Sequence, residues 1–232
     1  MTDFIEGNLL FRFNERWSHL SHWDRHDAYH HGMRRCESGK AVDFIGVLDQ
    51  KVPYLIEVKD FRIHERSAAK IPLPREFERK VRDTIAALAG THCHGRPPDC
   101  ADIFQTLIKT RKPHLVLWRE TTDNFSRAHL ADSTFLLAEI QRQLQWIHSV
   151  PYVTSRMIDG GEIPGLKVSD LGPERLAHLN KLLEAIEGGI CRGQFSRDEK
   201  AIWKIQDTLE IITLDRILSR VPTARSIRQL LA

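Results

Sequence analysis

Three ionisable side chains stand in two short apolar runs. Asp43 lies within Ala41-Val42-Asp43-Phe44-Ile45-Gly46-Val47, and Glu57 and Lys59 lie within Tyr54-Leu55-Ile56-Glu57-Val58-Lys59. Both runs read as strands, so alternation puts Glu57 and Lys59 on one face and Ile56 and Val58 on the other, toward the core. The connection Leu48-Asp49-Gln50-Lys51-Val52-Pro53 is short enough to fold the two runs into a hairpin. That hairpin brings Asp43 beside Glu57. Two carboxylates in an apolar setting repel each other unless a cation lies between them. Mg²⁺ suits the place, since it is hard, prefers oxygen ligands and keeps several waters; Mn²⁺ can substitute. A neighbouring lysine can hold the attacking water, stabilise charge or act as a base. Together these parts meet the needs of metal-assisted phosphodiester hydrolysis. The same residues also fit a solvent-facing Glu-x-Lys pair on a half-exposed sheet, with Asp43 as an edge acid.

The order Asp43, then Glu57-Val58-Lys59, resembles the signature of the PD-(D/E)XK, or restriction-endonuclease-like, nuclease superfamily. Val42 stands where the name-giving proline would be. The resemblance covers the hairpin and, more loosely, the first half of the chain. It implies a small mixed central sheet flanked by helices in an α-β-β-β-α-β order. It implies Mg²⁺ held by Asp43, Glu57 and the backbone carbonyl of Val58, with Lys59 acting on the water or the transition state. Double-stranded DNA is the implied substrate, in restriction-like defence or repair. Relatives in that superfamily often add a third acid from an early helix; Glu15 is the candidate here, with Glu6 and Glu37 as rivals.

The elements that must position these residues follow from the pattern. Asn8 to Phe13 fits a strand, and Asn14 to His31 has helix-compatible spacing at Trp17, Leu20 and Trp23. A helix is predicted from about Arg75 to Ala89, with Phe77, Val81, Ile85 and Leu88 on its inner face. A second helical piece covers Ala101 to Thr110, and His114 to Trp118 reads as a buried strand. Asp132-Ser133 fits a cap for a helix reaching His148, with Leu137, Ile140, Leu144 and Ile147 inward. Tyr152 to Ile158 fits a last strand, closed by Asp159-Gly160-Gly161. From Pro173 the pattern is helical, with one stripe at Leu176, Leu179, Leu183 and Ile186 and another at Ile202, Ile205, Leu209 and Ile212. The expectation is an α/β core over 1–165 and a helical C-terminal extension over 166–232.

Arg75, Arg79 and Arg82 fall opposite the apolar face of the predicted helix, with Lys80 close by. With Arg62, Arg66 and Lys70 they make a basic cluster suited to phosphate-backbone contacts, with Arg62, Arg75, Arg79 and Arg82 the candidate nucleic-acid residues. Glu76, Glu78 and Asp83 can also pair with them on a solvated helix face. Two groupings have ligand types for Zn²⁺, namely His19, His22, His26 and His30, and His92, Cys93, His94 and Cys100. The first four fall at spacings that share one helical face, where polar surface residues are the favoured reading, and the second grouping fits no strong zinc spacing. A net charge of +3 permits a nucleic-acid partner without requiring one. Four cysteines without a Cys-x-x-Cys pair read as reduced thiols, and no signal peptide or bilayer-length apolar run is present, so a cytoplasmic location is expected. The rival to an enzyme is a non-catalytic interaction subunit that keeps the nuclease fold. In either case the C-terminal stripes could serve a homodimer or another protein partner.

Overall fold

The computed structural model describes residues 1–26, 28–29, 39–62, 71–93, 98–110, 112–121, 127–156 and 163–171. Within them lie strands β1 (Thr2–Glu6), β2 (Leu9–Phe13), β3 (Trp17–His22), β4 (Phe44–Leu48) and β5 (Val52–Asp60). Helices α1 (Leu73–Cys93) and α2 (Pro98–Thr110), strand β6 (His114–Glu120), helix α3 (Arg127–Gln143) and strands β7 (Val150–Thr154) and β8 (Leu166–Asp170) follow. A 3₁₀ turn, Trp23–Arg25, extends from the end of β3. The chain divides into two compact units. One is Met1–Thr2 with Arg12–Lys167, and the other is Asp3–Phe11 with Val168–Ala232. The predicted C-terminal helical stripes, Asp159-Gly160-Gly161, Arg66, Lys70, His30, His94 and Glu37 lie outside the described residues.

The first unit carries a five-stranded sheet in the order β3-β4-β5-β6-β7. β4 is antiparallel to both β3 and β5, and β6 and β7 continue parallel to β5. The step from β5 to a parallel β6 needs a long crossover, which α1 and α2 supply. β1, β2 and β8 form a separate three-stranded sheet. The mixed α/β class expected from the pattern is therefore present, and no helix precedes β3.

The β4–β5 connection is tighter than expected. Asp49 and Gln50 take φ of 51° and 55°, and the Lys51 N–H donates to the Leu48 carbonyl at 3.0 Å. Two successive left-handed residues match the right-handed twist of a hairpin. Asp49 is held there by Arg16, whose Nε donates to Oδ1 at 2.9 Å.

The central strands β4, β5 and β6 are buried on both faces. Ile45, Val47, Leu55, Leu115 and Leu117 form one core with Phe77, Val81 and Leu88 of α1, Ile103 and Leu107 of α2, Leu136 and Ile140 of α3, and Leu144 just after it. On the other face Trp17 packs against Phe13 and Tyr54, with ring centroids 5.1 and 4.9 Å apart. Glu57 and Lys59 therefore share the helix-covered face with Leu55. This corrects the expectation that only Ile56 and Val58 point into the core.

Three element readings change. The described residues from Asn14 to His26 form no α-helix. Trp17–His22 is a strand against β4, and its register slips between Ser18 and Ser21. The extra residue turns Trp17 and Leu20 to one side, where both crowd Gly46; a Cβ on Gly46 would lie 2.7 Å from Leu20 Cδ2. Asp132-Ser133 does not cap α3, which begins at Arg127; Asp132 instead pairs with Arg119 of β6. Leu136, rather than Leu137, shares the buried stripe of α3 with Ile140, and the helix ends at Gln143, so Leu144 is buried from the turn that follows.

Candidate active site

Asp43 immediately precedes β4. The last register pair of the hairpin is Phe44 with Ile56, so Asp43 falls beside Glu57. Its backbone is pinned, since its carbonyl accepts the Trp23 N–H at 2.7 Å. The stretch before it is stitched to α1. The Lys40 N–H donates to Asp83 Oδ2 at 3.0 Å, and the Val42 N–H to Thr84 Oγ1 at 3.1 Å. The side chain is aimed as well, because Asp43 Oδ2 accepts the Val58 N–H at 2.6 Å. A short contact to a carboxylate is of the charge-assisted kind, among the stronger hydrogen bonds.

The groups that meet here come from three elements. Lys80, on α1, places its ammonium 2.7 Å from both carboxylate oxygens of Glu57 and 3.6 Å from Asp43 Oδ1. Lys59 lies 2.7 Å from Glu57 Oε1 and 3.0 Å from Glu76 Oε1, also on α1. The two approaches to Oε1 have the distance of a hydrogen bond but not its angle, so they act as ion contacts. Glu57 is 0% exposed, whereas Lys59 retains 20% of its side-chain surface, so the cluster opens at Lys59.

Burial governs the ionisation. It pushes the Glu57 carboxyl up to about 7, with Asp43 adding to the rise and Lys80 and Lys59 opposing it. Burial works against the charge on Lys80, but Asp43 and Glu57 outweigh it and hold the ammonium above its ordinary value. The same contest, with Glu57 the main carboxylate, raises Lys59. At the end of β3, burial and then Arg25 push the His22 imidazole down to about 3, so it is neutral.

The structure thus brings Asp43, Glu57, Lys59 and the Val58 backbone together. It separates the basic helix residues. Lys80 faces the sheet, while Arg79 and Arg82 face away and have acidic partners of their own. Arg79 is 3.9 Å from Asp83, and Arg82 is 3.2 Å from Asp83 and 3.8 Å from Glu78. Arg62 is tied to Asp60 at 2.7 Å. Arg75 is exposed, with no acidic partner among the described residues. The single basic cluster expected from the sequence is therefore two sets on different faces of α1.

Glu15 is exposed in the turn before β3, and Glu6 is on β1 in the other unit. Glu76, which touches Lys59, and Asp24, whose charge reaches Lys80, are the additional acids at the cluster. His19 and His22 are on a strand, His92 contacts Gln105 Nε2 at 3.1 Å, and Cys100 is buried in the helical core. Among the described residues no three His, Cys, Asp or Glu side chains are placed to hold a metal. The zinc groupings are therefore not assembled there.

The donors do fit a hard cation. Two carboxylates converge on one point, all their free atoms are oxygens, and a cationic nitrogen already marks the position. Two protein carboxylates with water completing the shell is a usual arrangement for Mg²⁺. Comparison with protein-family models, with curated proteins and with solved structures finds no significant match. No described helix is long and apolar enough to cross a membrane.

Proposed function

We propose that the protein is a Mg²⁺-dependent nuclease of the restriction-endonuclease-like kind, hydrolysing phosphodiester bonds, with DNA as its substrate. The observation that carries this reading is the convergence of Asp43 and Glu57 on one cation position, with Lys59 beside it at the open side of the cluster. The topology supports it too. An antiparallel β3-β4-β5 meander, a helical crossover and a parallel β6 beside β5 correspond to the β-β-β-α-β part of the implied arrangement. The opening helix of that arrangement has no counterpart before β3.

In this reading Asp43, Glu57 and the Val58 carbonyl hold the metal. When bound, Mg²⁺ supplies Lewis acidity and lowers the pKa of an attacking water. The Val58 N–H fixes the Asp43 carboxylate, so no reorganisation is needed when charge develops. Glu76 tethers Lys59 from the helix side. Lys59 can then orient the water or stabilise the pentacovalent phosphate. Arg75, exposed on α1, and Arg62, Arg79 and Arg82 would contact the nucleic-acid backbone, the last three at the cost of loosening their internal pairs.

A second reading is favoured by one observation: the acids already have two ammonium partners, so the cluster is satisfied without metal. On that reading the protein is an interaction subunit. Plasmid nicking with Mg²⁺, set beside calorimetric titration with Mn²⁺, separates the two. The nuclease reading expects Lys59→Ala to lose cleavage by roughly 100-fold or more, with Mn²⁺ affinity changed by less than about threefold. A wild-type protein that binds no divalent metal and cuts no DNA or RNA leaves the subunit reading in its place.

A further inference from the structure

Lys80 is an unusual neighbour for a pair of metal-binding acids. Its nitrogen is not beside the cation position but in it. Both Glu57 oxygens lie 2.7 Å from it, and Asp43 Oδ1 lies 3.6 Å away. Mg²⁺ bonds to oxygen at about 2.1 Å, so a divalent ion using these same oxygens would meet the ammonium almost in contact. Two cations cannot share that space at a buried site, where like charges are poorly screened.

We propose that Lys80 is a built-in cation that holds the acid pair in the metal-free protein and must be displaced when a divalent metal binds. This rests on the metal-dependent reading above. Lys80 thereby sets the metal affinity of the site, as a positioning residue rather than a ligand.

The surroundings allow both positions. Without metal, Asp43 and Glu57 would stand together with Glu57 fully buried, an arrangement that needs a cation. Lys80 supplies it from α1, the helix whose Asp83 and Thr84 also secure the strand start before Asp43. To leave, the ammonium needs a flexible stem, some access and another anion. Lysine has four rotatable methylenes, and this one keeps 14% of its side-chain surface. Glu76 lies one helical turn earlier on α1, at a spacing where Glu and Lys pair. Asp24 acts on Lys80 from the 3₁₀ turn. Displaced toward Glu76, Lys80 would also stand next to Lys59, adding a second cation at the open side of the cluster.

The test uses the full-length chain, Mn²⁺ alone and no nucleic acid. Lys80→Met keeps the length of the stem and removes the charge. By calorimetry Lys80→Met should bind Mn²⁺ about tenfold or more tightly than wild type, because no ammonium has to be expelled. Its melting temperature without metal should fall, and Mn²⁺ should raise it by more than it raises that of wild type. A second measurement needs no variant. Acetic anhydride labelling of the wild-type protein, read by mass spectrometry, should modify Lys80 several-fold faster with saturating Mn²⁺ than without.

The outcomes separate this inference from the nuclease reading. If wild type binds Mn²⁺, Lys80→Met binds it no tighter and labelling of Lys80 is unchanged, displacement is wrong and the metal site stands. If only Lys80→Met binds the ion, Lys80 does occupy the cation position, and the metal-dependent reading of the wild type falls. If neither protein binds it, both ideas fail.

Discussion

Asp43 has one role that the structure shows, holding the Val58 N–H, and one that we propose, ligating a metal, and two substitutions separate them. The side chain is 7% exposed, and Oδ2 takes the Val58 N–H at 2.6 Å. Asp43→Ala leaves that buried N–H without its acceptor, which costs about 1–3 kcal/mol. It also leaves Lys80 with one acid instead of two. A total loss of about 2–4 kcal/mol is expected. Asp43→Asn keeps an oxygen for the N–H and loses only the charge assistance, together with part of the attraction to Lys80. About 1 kcal/mol is expected there. Metal binding should respond differently. Both variants lose one of two anionic ligands, so both should lose about tenfold or more in Mn²⁺ affinity. Urea unfolding without metal measures the first quantity and calorimetry the second. An Asp43→Ala protein within about 0.5 kcal/mol of wild type would show that the Val58 contact contributes little to the fold. An Asp43→Asn protein with unchanged Mn²⁺ affinity would remove Asp43 from the ligand set.

The metal-free protein should lose stability as pH rises from about 4.5 to about 7. Glu57 is raised to about 7, so in that window the folded state binds more protons than the unfolded one, and the loss should be on the order of 2–3 kcal/mol. Denaturation midpoints across the window should show this slope, and Glu57→Gln should flatten it; an unchanged slope would assign it elsewhere. On the nucleic-acid side, Arg75→Glu should weaken DNA binding more than Arg82→Glu, because Arg82 already pairs with Glu78 and Asp83. Filter binding at two salt concentrations reads both the affinity and its electrostatic part. Gly165→Ala should destabilise the protein by about 1–2 kcal/mol, since φ is +74° and a Cβ would collide with the Asn14 side chain; a thermal melt equal to wild type would contradict this.

The hairpin was legible because its signals are local. Asp43 and Glu57 each interrupt an apolar run, and a short turn fixes their pairing. The stripe of α1 was legible for the same reason. What failed were places where a tertiary contact overrides a local pattern. The slip between Ser18 and Ser21 replaces strand alternation with a three-residue spacing, which reads as a helix. Asp132 has the identity of a cap, but its carboxylate is engaged by Arg119 on the preceding strand β6, beyond the reach of a capping pattern. No window centred on either segment contains that information.

Lys80 is different, because its place on the helix follows from spacing alone. Its charge groups it with Arg79 and Arg82, but its angle around the helix does not. Leu73, Phe77, Lys80, Thr84 and Ala87 are spaced alternately by four and three residues, the rhythm of a single helix face. Arg75, Arg79 and Arg82 fall on the opposite side. A lysine inside an apolar stripe is either misplaced or paired, since a buried ammonium without an anion is strongly destabilising. Acids able to pair with it are Glu76, one turn earlier, and any carboxylate of the sheet that the stripe covers. Asp43 and Glu57 were the two carboxylates already assigned to that sheet. The sequence therefore contained the geometry of the Lys80 contact, although not its distances. The same angular argument explains why Glu76, one turn before Lys80, reaches Lys59 while Arg75 remains in solvent.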